Sequence, residues 1–84
     1  MTMELIALTP EKEIFKGKIK SVKVPGKGGQ FEILKDHAPI VAALEEGEVR
    51  IIGEDGSVTK FDISKGFVEV LNDEVSLLIQ SMKS

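Results

Sequence analysis

Along most of the chain, apolar and polar residues alternate with a period of two. Phe15, Gly17 and Ile19 stand on one parity against Lys16, Lys18 and Lys20 on the other, and Thr59, Phe61 and Ile63 stand against Lys60 and Asp62. Val49 and Ile51 flank Arg50, Val68 and Val70 flank Glu69, and Val75, Leu77 and Ile79 repeat the pattern near the end. Successive side chains of a strand point to opposite faces, so this spacing predicts half-buried β-strands. Met3 to Leu8 is apolar on both parities except at Glu4, which predicts a strand buried between layers. Gln30 to Leu34 reads as a short strand with Phe31 and Ile33 on one side. Ile40 to Leu44 is apolar throughout, and periodicity alone leaves buried strand and short helical piece both open. No run of ten or more residues carries a helical stripe.

The breaks between these segments carry turn chemistry. Thr9-Pro10-Glu11-Lys12 ends the first strand. In the next, the apolar parity slips: Phe15, Gly17 and Ile19 are odd, whereas Val22 and Val24 are even. A one-residue slip exchanges the faces of a strand, so a bulge or bend is expected near Lys20-Ser21. Such a bend lets a strand pass from one sheet of a sandwich to the other. Pro25-Gly26 with Gly28-Gly29 reads as a turn, and Lys35-Asp36-His37 as an elbow whose Pro39 biases Ala38 toward extended backbone. Glu45-Glu46-Gly47, Gly53-Glu54-Asp55-Gly56, Ser64-Lys65-Gly66 and Asn72-Asp73 read as further turns. Turns recurring at roughly eight to twelve residues point to an all-β sandwich or barrel. The expected organisation is one domain over residues 1–84.

Composition narrows the chemistry. The chain has 84 residues, 11 basic against 14 acidic, a net charge of −3, no cysteine, no tryptophan and no tyrosine. Disulfides and thiolate metal sites are therefore impossible, and a basic nucleic-acid face with stacking aromatics is missing. Lys16, Lys18 and Lys20 fit the solvated side of a strand. The longest apolar run, Ala38 to Leu44, is far short of the ~20 residues of a membrane helix, and Met1-Thr2-Met3-Glu4 has no basic leader region. His37 beside Asp36 is the one candidate general base, but no nucleophile-elbow serine or cysteine accompanies it. No HxH or HxxxH spacing offers a metal site. Gly26-Lys27-Gly28-Gly29 is followed by a strand and by Gln30 rather than by a helix and a Ser or Thr, so it reads as a hairpin turn and not a phosphate cradle. The acidic knot Glu45, Glu46 and Glu48 lacks calcium-loop spacing and reads as a solvated turn. No catalytic, cofactor or metal site is expected.

Seven short motifs then occur in a fixed order: Thr9-Pro10-Glu11, Phe15-x-Gly17, Val22-x-Val24-Pro25-Gly26, Gly29-x-Phe31-x-Ile33-Leu34, His37-Ala38-Pro39, Leu44-x-x-Gly47 and Gly66-Phe67-Val68-Glu69-Val70. In this order, from Met3 to Ile79, the chain resembles the N-terminal domain of the epsilon subunit of F-type ATP synthase, called delta in mitochondria. The resemblance implies a flattened sandwich of two antiparallel sheets with about ten short strands. It implies a non-catalytic subunit of the central stalk, part of the rotor, lying between the gamma subunit and the c-ring and helping to couple proton-driven rotation to ATP synthesis. Its place would be peripheral, on the cytoplasmic side of the bacterial inner membrane.

Carried over position by position, the resemblance implies a c-ring contact at Gly29, Gln30, Phe31, Glu32, Asp36 and His37, and a gamma-subunit contact at Thr9, Pro10, Ala42 and Leu44. Glu32 stands where the family often has glycine and Lys35 where it often has proline, which adds charge to the c-ring end. Typical bacterial relatives continue into a helical hairpin that can inhibit hydrolysis and in some binds ATP. The sequence stops before it, so neither the hairpin, nor its inhibition, nor ATP binding is expected. The alternative reading is a small β-sandwich carrier of the lipoyl or biotinyl kind, or a ligand-binding domain. The carrier needs a lysine at a hairpin tip, and Glu54-Asp55-Gly56 has none.

Overall fold

Seven strands and, among the described residues 2–83, no helix make up the computed structural model: β1 (Met3–Leu8), β2 (Glu13–Gly26), β3 (Gly29–Leu34), β4 (Ile40–Leu44), β5 (Gly47–Gly53), β6 (Val58–Leu71) and β7 (Glu74–Met82). Met1 and Ser84, the two ends of the expected domain, lie outside the described residues. The apolar run Ile40–Leu44 is strand.

The two strands of 14 residues, β2 and β6, build both layers. The first part of β2 pairs with β1, from Ala7↔Phe15 to Met3↔Ile19, and its last part pairs with β5 and β3. β6 does the same: Val58–Ile63 pairs with β5, and Gly66–Leu71 pairs with β7, with Gly66–Val70 also pairing with β4. One layer therefore runs β2–β1–β7–β6–β4 and the other β3–β2–β5–β6. The sharing explains why seven strands stand where the family resemblance implied about ten: each long strand does the work of two short ones. Pairing also closes a ring, β1–β7–β6–β5–β2, which leaves the outer edges of β3 and β4 as the main open ones. β1 and β7 run parallel, an exception to the antiparallel rule of the other pairs.

The change of layer needs a change of parity. In β2 it occurs where the sequence slips: the register against β5 jumps between Ile19 and Ser21, leaving Lys20 as an extra, exposed residue. Ile19 then faces the core from the first layer while Val22 and Val24 face it from the second, all three fully buried. β6 bends in the same way, with register shifts between Ile63 and Lys65 and between Lys65 and Gly66. Ser64-Lys65-Gly66 is therefore not a turn but the bend of a continuous strand, because buried Ile63 and buried Val68 lie on opposite parities. Gly66 makes the bend possible: a Cβ there would stand 2.8 Å from the Leu78 carbonyl oxygen. Pro25-Gly26 likewise ends β2 instead of turning, and the turn itself is Lys27-Gly28, with Gly26 paired to Gly29.

Between the layers lie Met3, Leu5 and Ala7 of β1, Ile33 of β3, Leu44 of β4, Val49 and Ile51 of β5, Val70 of β6, and Val75, Leu77 and Ile79 of β7, each at most 2% exposed. Ile14, Phe15, Phe31, Ile40, Ala42 and Phe61 pack around them. This single apolar core holds the loops on which the sequence-selected residues sit.

Candidate functional site

The β3–β4 elbow is braced by the turn that joins β6 to β7. Asp36 adopts the left-handed region, φ 68°, and its N–H donates to Asp73 Oδ1 at 2.7 Å. Lys35 Nζ donates to Asp73 Oδ2 at 3.0 Å and to Asp36 Oδ1 at 3.2 Å. Asn72 and Asp73, both with positive φ (51° and 61°), form the two-residue turn that strand twist favours, and the Asp73 carbonyl accepts the Glu4 N–H at 3.0 Å. The Asp36 N–H and then the Lys35 ammonium hold the Asp73 carboxyl below its ordinary value, and the same carboxylate raises Lys35. His37 N–H donates to the Leu34 carbonyl at 3.1 Å, and its Nδ1–H donates to the Ala38 carbonyl at 2.7 Å. Since the Asp36 carboxylate engages Lys35, it does not orient the imidazole. The elbow is a shaped, cross-braced projection with no built general base.

The glycine turn lies at the other end of β3. Lys27 N–H donates to the Ala43 carbonyl at 3.3 Å and Glu45 N–H to the Pro25 carbonyl at 2.9 Å, which ties the turn to the end of β4. An open groove of about 440 Å³ runs between them, lined by Gly26 to Phe31 with Ala42 and Ala43. Gly29 (φ 128°) and Gln30 are exposed, whereas Phe31 is half-buried against the core. A six-residue strand spans roughly 20 Å, so Gly29, Gln30 and Phe31 do not converge with Asp36 and His37 on one spot. They join Ala42 instead, while Glu32 stands exposed in mid-strand opposite Lys23.

The residues carried over as gamma contacts divide by face. Thr9 closes its own loop: its N–H donates to the Lys12 carbonyl at 2.8 Å, and its Oγ1 accepts the Lys12 N–H at 3.1 Å. Pro10 is exposed beside it. Ala42 faces the core, and Leu44 is 1% exposed, so Leu44 is a core residue with no side chain to offer a partner. Val41, 73% exposed, and Ala43 take the outward parity.

Register extends that outward face into one apolar row across four strands: Ala43 opposite Phe67, Phe67 opposite Leu78, and Leu78 opposite Leu8. Phe67 is 41% and Leu78 47% exposed. Val41 and Leu71 lie on the same outer face. Sequence reading assigns a contact role neither to Leu78 nor to Phe67, which enters only within a family motif, although each sits beside inward-facing neighbours, Phe67 beside Val68 and Leu78 between Leu77 and Ile79.

The profile of the ATP synthase delta/epsilon chain β-sandwich domain matches residues 2–84. The ATP synthase epsilon chain of Chlorobaculum tepidum is 42% identical over 81 residues, covering 96% of this chain and 90% of that one. The epsilon chain of Protochlamydia amoebophila is 37% identical over 84 residues, covering all of this chain and 57% of its own length. Among solved structures, a chain of the Euglena gracilis mitochondrial ATP synthase (OSCP, F1 and c-ring) superposes with a TM-score of 0.87 at 20% identity, over 93% of this chain and 50% of that one. A chain from the central stalk and c-ring of the Tetrahymena thermophila mitochondrial enzyme gives 0.80 at 20% identity, over all of this chain and 67% of that one. At that identity the two structures speak for the fold.

Proposed function

The chain belongs to the β-sandwich family of ATP synthase delta and epsilon chains, and from that premise we propose that it is a central-stalk rotor subunit of a proton-translocating F-type ATP synthase. It docks the gamma subunit onto the c-ring and helps to couple rotation to ATP synthesis at sites on other subunits. It acts as a single epsilon-type domain, without catalysis of its own, as a peripheral part of the complex on the cytoplasmic side.

One observation carries the reading: the apolar row Ala43–Phe67–Leu78–Leu8 across the outer face of the first layer. Contiguous exposed apolar surface on a small protein marks a contact surface, and this one takes in Ala43, the outward-facing chain neighbour of Ala42 and Leu44, two of the positions carried over as gamma contacts. Gamma packs there, with Thr9 and Pro10 at its border and Leu44 supporting the face from within. The c-ring meets the open edge strand β3. Because the two ends of β3 are too far apart for one short loop, Gly29, Gln30 and Phe31 touch one copy of the repeated ring loop and Asp36 and His37 touch a neighbouring copy, with Glu32 between them.

Cysteine cross-linking in the assembled rotor tests this arrangement. Gln30→Cys and Asp36→Cys are both expected to link to c-ring loops carrying an introduced cysteine, and Phe67→Cys to gamma. Linking of Phe67→Cys to the c-ring, with none from Gln30→Cys or Asp36→Cys, would reverse the assignment of faces.

A further inference from the structure

The outer face of the second layer is striped in register. Glu32, Lys23, Arg50 and Lys60 stand directly opposite one another across β3, β2, β5 and β6. The adjacent row is Leu34, Ser21, Ile52 and Val58, and on the other side lie Glu48 and Asp62, also opposite each other. Lys23, Arg50 and Lys60 thus form an unbroken line of three cations. Like charges directly opposite in a sheet destabilise it. The ion pairs formed among the described residues, Lys35 with Asp36 and Asp73 and Lys83 with Glu46, involve none of the three. The row beside them is open at its two apolar ends, Leu34 being 53% and Val58 49% exposed, with Ile52 half-buried and Ser21 buried between them.

We propose that this face binds an acidic amphipathic segment of a partner polypeptide. The segment lies along the rows, across the four strands, with its apolar side on Leu34, Ile52 and Val58 and its carboxylates over Lys23, Arg50 and Lys60. Four strands at ~4.8 Å spacing make a row of roughly 14 Å, the length of about ten residues of helix. Charge placement selects this occupant over others. The basic row is the middle stripe, so a second copy related by a two-fold axis along or across the rows would set cations on cations. Glu32, Glu48 and Asp62 border the cations, and the chain carries a net charge of −3, which opposes nucleic acid and an anionic bilayer. The face is separate from the Phe67–Leu78 row, so the inference does not rest on the proposed docking of gamma.

The test uses the full chain, ¹⁵N-labelled, with three probes: a 14-residue peptide repeating Leu-Glu-Glu-Leu-Leu-Glu-Glu, its counterpart with lysine for every glutamate, and inorganic phosphate. The acidic peptide is expected to shift amides at 21–23, 50–52 and 58–60 and to bind more weakly as salt rises. Arg50→Gln is expected to weaken it roughly threefold to fivefold, the loss of one exposed charge pair, while raising the melting temperature of the free chain by removing the middle cation. No shift with the acidic peptide, or equal binding of the lysine peptide, would overturn the proposal. Matching shifts with phosphate alone would replace it with a small-anion site. A lower melting temperature for Arg50→Gln with unchanged affinity would make the row structural.

Discussion

Gly66→Ala is expected to destabilise the fold far more than an alanine at an ordinary strand position. The new Cβ would lie 2.8 Å from the Leu78 carbonyl oxygen and 3.5 Å from Ile79 Cα, both backbone atoms of β7. Side-chain rotation cannot relieve such a contact, and β7 cannot move freely because β1 pairs along its other edge. Overpacking a filled site costs about 1–3 kcal/mol, and the lower entropy of the unfolded chain with alanine returns about 0.4–1 kcal/mol. The midpoints of these ranges leave a net cost of about 1.3 kcal/mol, which at ~4–8 °C per kcal/mol for a domain of this size is a fall in melting temperature of roughly 5–10 °C. Thermal unfolding followed by far-ultraviolet circular dichroism measures it. Gly28→Ala is the control: a Cβ there meets nothing within 4 Å, so its stability stays level or rises slightly. Because the strain falls beside the Phe67–Leu78 pair, Gly66→Ala also weakens gamma binding. Melting of Gly66→Ala within about 2 °C of the parent would refute the close-approach reasoning and, with it, the account of the β6 bend.

Leu78→Glu, at a side chain 47% exposed, leaves the melting temperature nearly unchanged and weakens gamma binding at least about tenfold, as an apolar anchor at an interface centre does; thermal unfolding reads the first and calorimetric titration the second. Leu77→Ala, one residue away but fully buried, does the reverse in kind: it costs about 2–5 kcal/mol, seen as a large drop in urea midpoint. Asp73→Asn keeps a residue that tolerates positive φ but removes the charge. The native carboxyl lies below its ordinary value, first through the Asp36 N–H and then through Lys35, so it contributes stability above the unfolded value of about 3.9 that is lost as pH falls through the lower folded value. The melting temperature of the variant is therefore below the parent's at neutral pH, and the gap narrows as pH drops below about 4.

The strands, most turns and the β2 bulge were legible because each leaves a local mark: alternation, glycine and asparagine placement, and the parity change between Ile19 and Val22. The β6 bend leaves the same mark, odd Phe61 and Ile63 giving way to even Val68 and Val70, but Ser64 and Gly66 have turn composition and mask it. The wholly apolar run Ile40–Leu44 shows no parity, so nothing local tells that Val41 faces out and Leu44 in. The candidate surfaces are harder still. Leu8, Ala43, Phe67 and Leu78 become neighbours only through pairings between residues far apart in the chain, as do Lys23, Arg50 and Lys60. Register is a long-range property that a single sequence does not display.

Titration calorimetry of the folded chain with the gamma subunit of the same organism tests the central claim most directly. The expected result is tight one-to-one binding with a negative heat-capacity change, the mark of apolar surface leaving water, lost in Leu78→Glu and kept in Arg50→Gln. A folded chain that gives no heat and no complex with gamma would contradict it.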